Sequence, residues 1–98
     1  MALLLQFTPT SFTTEKYDAA IRELEKAGQA APRGRLSHVA YGDPGNVRVD
    51  DVWESKEAFE AFGVTLIPIL QALGVDPGEP KVTPAHNVIV AATAGAAR

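Results

Sequence analysis

Apolar residues recur along this chain with two periods, a shorter one typical of strands and a longer one typical of helices. The segments with the shorter period predict four strands. Ala2–Thr8 and Leu36–Tyr41 are short runs rich in apolar residues and bounded by turn formers, a pattern typical of strands. Val47–Trp53 follows the turn-forming cluster Gly42–Asn46, so the two middle runs predict a hairpin. The apolar run His86–Ala92 predicts the last strand.

The longer period predicts two helices. The first begins near Thr13 and ends before Gly28, and apolar residues recur along it at helical spacing: Tyr17, Ala20, Ile21, Leu24 and Ala27. Ser55 is the expected N-cap of the second helix and Gly74 its expected end. Pro68 lies inside this segment without an amide to donate, so we expect a kink or a break there.

The order β, α, β-hairpin, α, β is that of ferredoxin-like α+β folds. We therefore expect a four-stranded antiparallel sheet with both helices on one face. The 98 residues are the usual size of one domain. We assign a single domain to residues 1–92 and a flexible tail to residues 93–98, where the β-branched residues run out.

The second face of this sheet predicts a homodimer. Leu3–Leu5 and Val88–Val90 are apolar on both sides of their strands, and Val49 and Val52 lie on opposite faces of theirs. Monomers rarely expose a large apolar patch. A twofold dimer that packs sheet against sheet removes it, whereas a monomer would need a covering layer that the predicted elements do not supply.

Charge and composition exclude several classes of function. The net charge of −3 and the absence of cysteine argue against a nucleic-acid partner, disulfides and thiolate metal sites. The apolar N-terminal run ends at Gln6, too short for a signal peptide or a membrane span. We therefore expect a cytoplasmic protein that binds neither nucleic acid nor a membrane.

The segment Val47–Phe59, in which an alternating strand closes on Trp53 and turns through Glu54 and Ser55 into a helix, resembles the strand-to-helix junction of the dimeric α+β barrel superfamily. That group includes the antibiotic-biosynthesis monooxygenases, haem-degrading monooxygenases and many small bacterial proteins. The resemblance implies a homodimer, and a ligand site between the helices and the open sheet face in each protomer's half of the barrel.

The second helix departs from the haem-degrading relatives, which carry a further tryptophan and an axial histidine there. Residues 59–68 contain neither, so the resemblance does not favour haem degradation. The cofactor-independent members use polar and aromatic pocket residues in place of a metal, and Gln6 is the nearest counterpart of an amide that some of them carry on the first strand. We expect no metal and no organic cofactor.

Two histidines are the candidates for catalysis, because imidazole is the natural general acid or base. His86 opens the predicted last strand, where a pocket role and a structural role remain open. His38 lies mid-strand among apolar residues and can equally be a buried imidazole with one hydrogen bond. A metal site needs three or four ligands, and no carboxylates have a spacing that would complete one.

Several further residues are candidates for substrate binding: Gln6, Tyr41, Asp50, Trp53 and Phe62. Trp53 and Tyr41 can also be plain packing aromatics. Asp50 and its neighbour Asp51 must point to opposite faces of a strand. One of them therefore faces inward and needs a partner, for which Arg48 or His38 is available.

Three functions follow from these residues. The first is an enzyme that oxygenates, isomerises or cyclises a hydrophobic substrate without a cofactor. The second is a non-catalytic binding protein for a hydrophobic metabolite. The third is a purely structural dimer, which would contain no cavity above about 300 Å³, the lower end for ligand pockets.

Overall fold

The structure, a computed structural model, describes residues 1–90 and has the predicted order of elements. These are β1 (Leu3–Phe7), α1 (Thr14–Lys26), β2 (Arg35–Asp43), β3 (Asn46–Trp53), α2 (Lys56–Ala72) and β4 (Lys81–Pro84). The prediction of a ferredoxin-like α+β fold is confirmed. The predicted tail at residues 93–98 lies outside the described residues.

The four strands form one antiparallel sheet in the order β2-β3-β1-β4. Because side chains alternate along a strand, β3 divides its residues between two faces. Val47 and Trp53 are buried on the face that the helices cover, whereas Asp50 points to the opposite face. We call these the covered face and the open face.

Both helices begin at the predicted caps. The Thr13 hydroxyl accepts a hydrogen bond from the Lys16 amide, and the Ser55 hydroxyl accepts one from the Ala58 amide, which satisfies amides that have no partner inside the helix. The kink or break expected at Pro68 does not become a break, because α2 continues as one helix to Ala72. No helix among residues 1–90 is long and apolar enough to span a membrane.

The core lies between the helices and the covered face, in two adjoining clusters. One contains Phe12, Ala20, Val47, Leu70 and Val75. The other contains Leu5, Leu24, Trp53 and Phe62. Trp53 is fully buried and lies edge-on to Phe59, with ring centroids 5.6 Å apart. The junction that carries the family resemblance is therefore also the centre of the second cluster.

The prediction of the last strand at His86–Ala92 is wrong for its described part. Strand β4 is Lys81–Pro84, and residues 85–90 are in no strand. The register explains the difference: Leu3, the first residue of β1, already pairs with Pro84, and the Ala85 amide makes the last bond, to Ala2. Beyond that point β1 offers no further partner.

The apolar surface of the open face is consequently smaller than the sequence predicts. Val88–Val90 lie outside the sheet, and Leu36 sits at an irregularity of β2. Leu4 and Val52 face each other across β1 and β3, and Val39 of β2 lies diagonally from Val52, opposite Asp50. These three residues form a small apolar patch, in which Val39 is 54% exposed.

Gly34, which joins α1 to β2, generates a test of this architecture. Its φ is +90°, and an added Cβ would lie 2.6 Å from the Ala58 Cβ at the start of α2. We expect Gly34→Ala to lower the free energy of unfolding by about 2–4 kcal/mol, because a left-handed alanine and an overpacked contact both cost energy. Urea denaturation measures the loss.

Gly28→Ala is the matched control, since Gly28 also has a positive φ of +76° but open space around an added Cβ. Only the conformational cost of about 1–2 kcal/mol applies there. Equal losses in the two variants would contradict the close approach of Gly34 to α2.

Candidate active site

A partly enclosed cavity lies between the two helices and the covered face of the sheet. Its interior volume is about 70 Å³, and the unfilled space including its mouth is about 600 Å³. The larger figure counts open solvent, so the smaller one describes the interior. The lining is mostly apolar, with Phe7, Phe12, Ile21, Phe59, Phe62 and Leu66 among its residues, and four polar side chains reach it: Tyr17, Arg35, His38 and Asp51. We call this the helix–sheet cavity.

Three of the polar side chains form a continuous hydrogen-bonded relay. His38 Nδ1 lies 2.6 Å from Asp51 Oδ1, and His38 Nε2 lies 2.7 Å from the Tyr17 hydroxyl. The Asp51 side chain is 7% exposed and that of His38 is 21% exposed. The relay therefore runs from a buried carboxylate to a hydroxyl at the cavity wall.

The chemistry of these groups fixes the direction of each bond. An ionised carboxylate only accepts hydrogen bonds, so His38 Nδ1 carries the proton that faces Asp51. In the neutral imidazole Nε2 is then an acceptor, and the Tyr17 hydroxyl donates to it. Asp51 thus holds His38 in one tautomer and one orientation.

Trp53 completes the environment of the carboxylate. Its indole Nε1 donates to Asp51 Oδ2 at 3.2 Å, so each carboxylate oxygen has a partner. Among residues 1–90 no buried side-chain nitrogen or oxygen lacks a hydrogen-bond partner. The inward carboxylate expected from the Asp50–Asp51 pair is Asp51, and its partner is His38, one of the two that the sequence offered.

The positions of the three groups follow from local structure. Asp51 and His38 lie directly opposite one another in the β2–β3 register, and side chains that face each other across antiparallel strands are in contact. Tyr17 lies on the apolar stripe of α1, with its ring parallel to that of His38 and the centroids 6.0 Å apart. Sheet and helix together build the relay.

Burial raises the pKa of the Tyr17 hydroxyl above its ordinary value of 10.0. The nearby Arg35 guanidinium opposes this effect, whereas the negative charges of Asp51 and Asp18 add to it. The hydroxyl therefore keeps its proton at neutral pH and is available as a donor.

Of the predicted site residues, two line the helix–sheet cavity and one touches the relay. His38 and Phe62 line it, and Trp53 is bonded to Asp51 just behind the wall. His86 is exposed and lies in a separate open groove beside Met1 and Leu36. The structure does not bring the two histidines into one cavity, and the catalytic role of either stays a prediction.

The remaining candidates lie on the open face. Gln6 is opposite Asp50 in the β1–β3 register, and the Tyr41 hydroxyl donates to Asp50 Oδ1 at 3.1 Å. These side chains point away from the helix–sheet cavity. The roles of Gln6, Tyr41 and Asp50 in substrate binding stay predictions, and they would require a ligand on that face.

Sequence reasoning did not select Tyr17, Asp51 or Arg35 as site residues. Alternation along β3 places Asp51 on the same face as Val47 and Trp53, which are buried. This pattern is the one sequence feature that points to Asp51. Tyr17 was recognised only as a member of an apolar helical stripe, and nothing in the spacing links its hydroxyl to His38. Among residues 1–90 no group of three or more potential ligands could hold a metal ion.

Comparison with solved structures places this fold among known proteins. A structural-genomics protein named YJCS superimposes with a TM-score of 0.63 at 11% identity, covering 88% of this chain and 100% of that one. SnoaB, described as a cofactor-independent oxygenase from Streptomyces nogalater, gives a TM-score of 0.58 at 16% identity, covering 90% and 94%. A protein from Chloroflexus aurantiacus assigned as an antibiotic biosynthesis monooxygenase gives 0.55 at 21% identity, covering 92% and 97%.

No protein-family model matches the sequence, and a search of curated proteins finds no relative. The chain has the fold of these solved structures, which include proteins described as antibiotic biosynthesis monooxygenases. The resemblance seen at Val47–Phe59 is confirmed at the level of fold.

Titration of Tyr17 tests the buried relay. The chain has two tyrosines, so Tyr41→Phe leaves Tyr17 as the only one. We expect its phenolate absorbance to appear with a midpoint above pH 10.0, because burial raises the pKa of this hydroxyl. A midpoint at or below that of free tyrosine would contradict the part-buried position of the hydroxyl.

The same shift predicts a loss of stability in alkali. Because the folded pKa of Tyr17 lies above the unfolded value of 10.0, its contribution is fully present below that pH. It disappears as the pH rises through the folded pKa. Tyr17→Phe in the same background should remove this part of the pH dependence.

Proposed function

We propose that this protein is an enzyme that removes a proton from a small hydrophobic substrate bound in the helix–sheet cavity, as cofactor-independent monooxygenases, isomerases and cyclases do. The observation that carries the proposal is the Asp51–His38–Tyr17 relay at the wall of a mostly apolar cavity. The description of SnoaB, a fold neighbour, as a cofactor-independent oxygenase adds support.

The relay assigns a role to each residue. Tyr17 oxygen accepts a proton from the substrate as its own proton moves to His38 Nε2, 2.7 Å away. The imidazolium that forms is stabilised by the Asp51 carboxylate, 2.6 Å from Nδ1. Tyr17 and His38 are the catalytic residues, and Asp51 is a positioning residue.

Proton removal is the step that the three reaction types share. A substrate carbanion rearranges in an isomerase and attacks a second site of the same molecule in a cyclase. In an oxygenase the carbanion gives its electrons to O₂, the co-reactant. The apolar lining excludes water and strengthens the interaction between the charges of the relay.

One observation favours the structural-dimer alternative. The interior volume of about 70 Å³ is smaller than the roughly 300 Å³ at which ligand pockets begin. An apolar cavity of about 150 Å³ holds benzene, so the interior accepts only a small group. The proposal therefore concerns a small substrate, or one end of a larger substrate whose remainder lies in the mouth.

Substitution of each histidine in turn tests which of the two is catalytic. In an assay with a substrate found by screening, we expect His38→Gln to lower kcat/KM at least about tenfold, since a positioned base contributes roughly 10²–10⁴-fold. His86→Gln is the matched variant, because His86 lies outside the helix–sheet cavity, and it should turn over substrate at close to the native rate.

Circular dichroism should show that both variants are folded. Native turnover in His38→Gln would refute the relay mechanism. A loss confined to His86→Gln would transfer the catalytic role to the groove beside Met1.

We also propose that the protein is a homodimer joined through the open faces of two sheets. In the apolar patch of Leu4, Val39 and Val52, Val39 is 54% exposed and the other two are half-buried in the single chain. A twofold contact covers the same patch on both copies, and it is the commonest symmetry among oligomers. The fold shared with dimeric α+β barrel proteins supports the same arrangement.

Sedimentation equilibrium tests the dimer. One chain has a mass of 10.4 kDa, and we expect twice that value at micromolar concentration. Val39→Glu should shift the protein towards the monomer, because a charge would be buried at the interface. Val64→Glu is the control, since Val64 is 77% exposed on the outer side of α2. A monomeric native chain would refute the proposal, as would dissociation caused equally by both variants.

A further inference from the structure

Arg35 is the fourth polar side chain of the helix–sheet cavity and takes no part in the relay. It reaches the cavity because β2 is irregular at its start: Arg35 pairs with Trp53 and Ser37 pairs with Val52, which leaves Leu36 as an extra residue. In a regular strand, residues three apart face opposite sides. The extra residue turns Arg35 to the same face as His38, as bulges do.

The irregularity has an unusual consequence for the core. In a regular strand Leu36 would lie on the same face as His38 and point towards the covered face, and Arg35 would point towards solvent. The observed backbone does the reverse, and Leu36 is 38% exposed. A fold selected only for packing would gain by burying the leucine. The irregularity therefore places the guanidinium, and not the leucine, at the cavity.

The guanidinium is supported on two sides. Its Nη2 donates to the Ala30 carbonyl at 3.3 Å, and its Cζ lies 5.9 Å from the centre of the Phe62 ring. The backbone before it is fixed as well, because the Gly34 carbonyl accepts a bond from the Glu54 amide at 2.8 Å. Arg35 is thus a held cation and not a free surface side chain.

Within residues 1–90, Arg35 has no carboxylate partner. The ion pairs there join Lys26 to Glu23, His38 to Asp51 and Lys56 to Glu60. Of the described residues, Asp51 is the only carboxylate that lines the helix–sheet cavity, and both of its oxygens already accept bonds. A guanidinium has five N–H donors, and Arg35 uses one of them on the protein.

We propose that Arg35 binds the carboxylate of the substrate, so that the cavity selects small hydrophobic organic acids. The planar fork of a guanidinium matches a carboxylate with two parallel hydrogen bonds. The guanidinium carries one positive charge, which fits a monoanion better than a phosphate. The apolar lining then receives the hydrocarbon part of the acid.

This inference rests on the proposed function, because it takes the helix–sheet cavity as the substrate site. It adds the chemical class of the substrate. Arg35 and Tyr17 both line the helix–sheet cavity, so one small molecule bound there can contact both.

Matched acids and amides test the selection. Binding of butyrate, benzoate and 2-naphthoate is compared with binding of the corresponding neutral amides, which have nearly the same shape. Trp53, the only tryptophan, reports binding through its fluorescence, and calorimetry gives the dissociation constants. We expect at least one acid to bind about tenfold or more tightly than its amide, since the amide loses the charge-assisted pair.

Arg35→Gln should abolish the preference for the acid. The affinity for the amide should change less than about threefold, because the substitution removes one charge pair alone. Arg33→Gln is the matched control, because Arg33 is exposed in the preceding loop, and it should keep the preference. Arg35→Lys keeps the charge without the fork and should retain only part of the preference. It also replaces Arg35→Gln if that variant does not fold.

Each outcome is decisive. Equal binding of acid and amide by the native chain, with both bound, would overturn the role of Arg35 and leave the proposed function intact. A preference for acids that survives undiminished in Arg35→Gln, or in Arg35→Lys where Arg35→Gln does not fold, would also overturn it. Failure of every acid and amide to bind would refute the cavity as a ligand site, and with it both proposals. Tyr17→Phe separates the two roles, because it should bind acids normally while losing turnover.

Discussion

The buried carboxylate of Asp51 is the constraint on which the rest of the structure depends. A charge that is 5% exposed is tolerated only with good partners. Asp51 obtains them from His38 on the neighbouring strand and from Trp53 on its own strand. These two bonds fix the histidine tautomer, the orientation of the indole and the pairing of the β2–β3 hairpin. The second core cluster forms around the same indole.

A polar group of this kind is not the most stable filling for a core. Replacing a buried ion pair by well-packed apolar residues is often neutral or stabilising, and neighbouring positions of the covered face are already apolar. The relay also ends at a hydroxyl on a cavity wall and not in the packed interior. These two facts favour the proposed catalytic relay over a purely structural one, in spite of the small interior volume.

The sequence predicted the features that depend on local chemistry. Periodicity and capping residues located the elements around Thr13 and Ser55, and alternation along β3 showed that one aspartate must face inward. Local sequence patterns could not show the features that depend on the register between distant segments. The end of β4 follows from the length of β1, and the contact of Tyr17 with His38 spans 21 positions of the chain. Arg35 points inward because β2 contains one extra residue. The pattern of apolar residues in that strand does not reveal it.

The alternation of β3 also separates two tasks within one strand. Asp51 serves the helix–sheet cavity, whereas Asp50 and Val52 face the other way. A slip of the hairpin by one residue would exchange these faces and bury Asp50 without His38. The extra residue at Leu36 reverses the orientation of Arg35 at the start of β2 and leaves the His38–Asp51 pair unshifted. A local bulge is therefore the means by which this sheet adds a cation to the cavity without disturbing the relay that the fold requires.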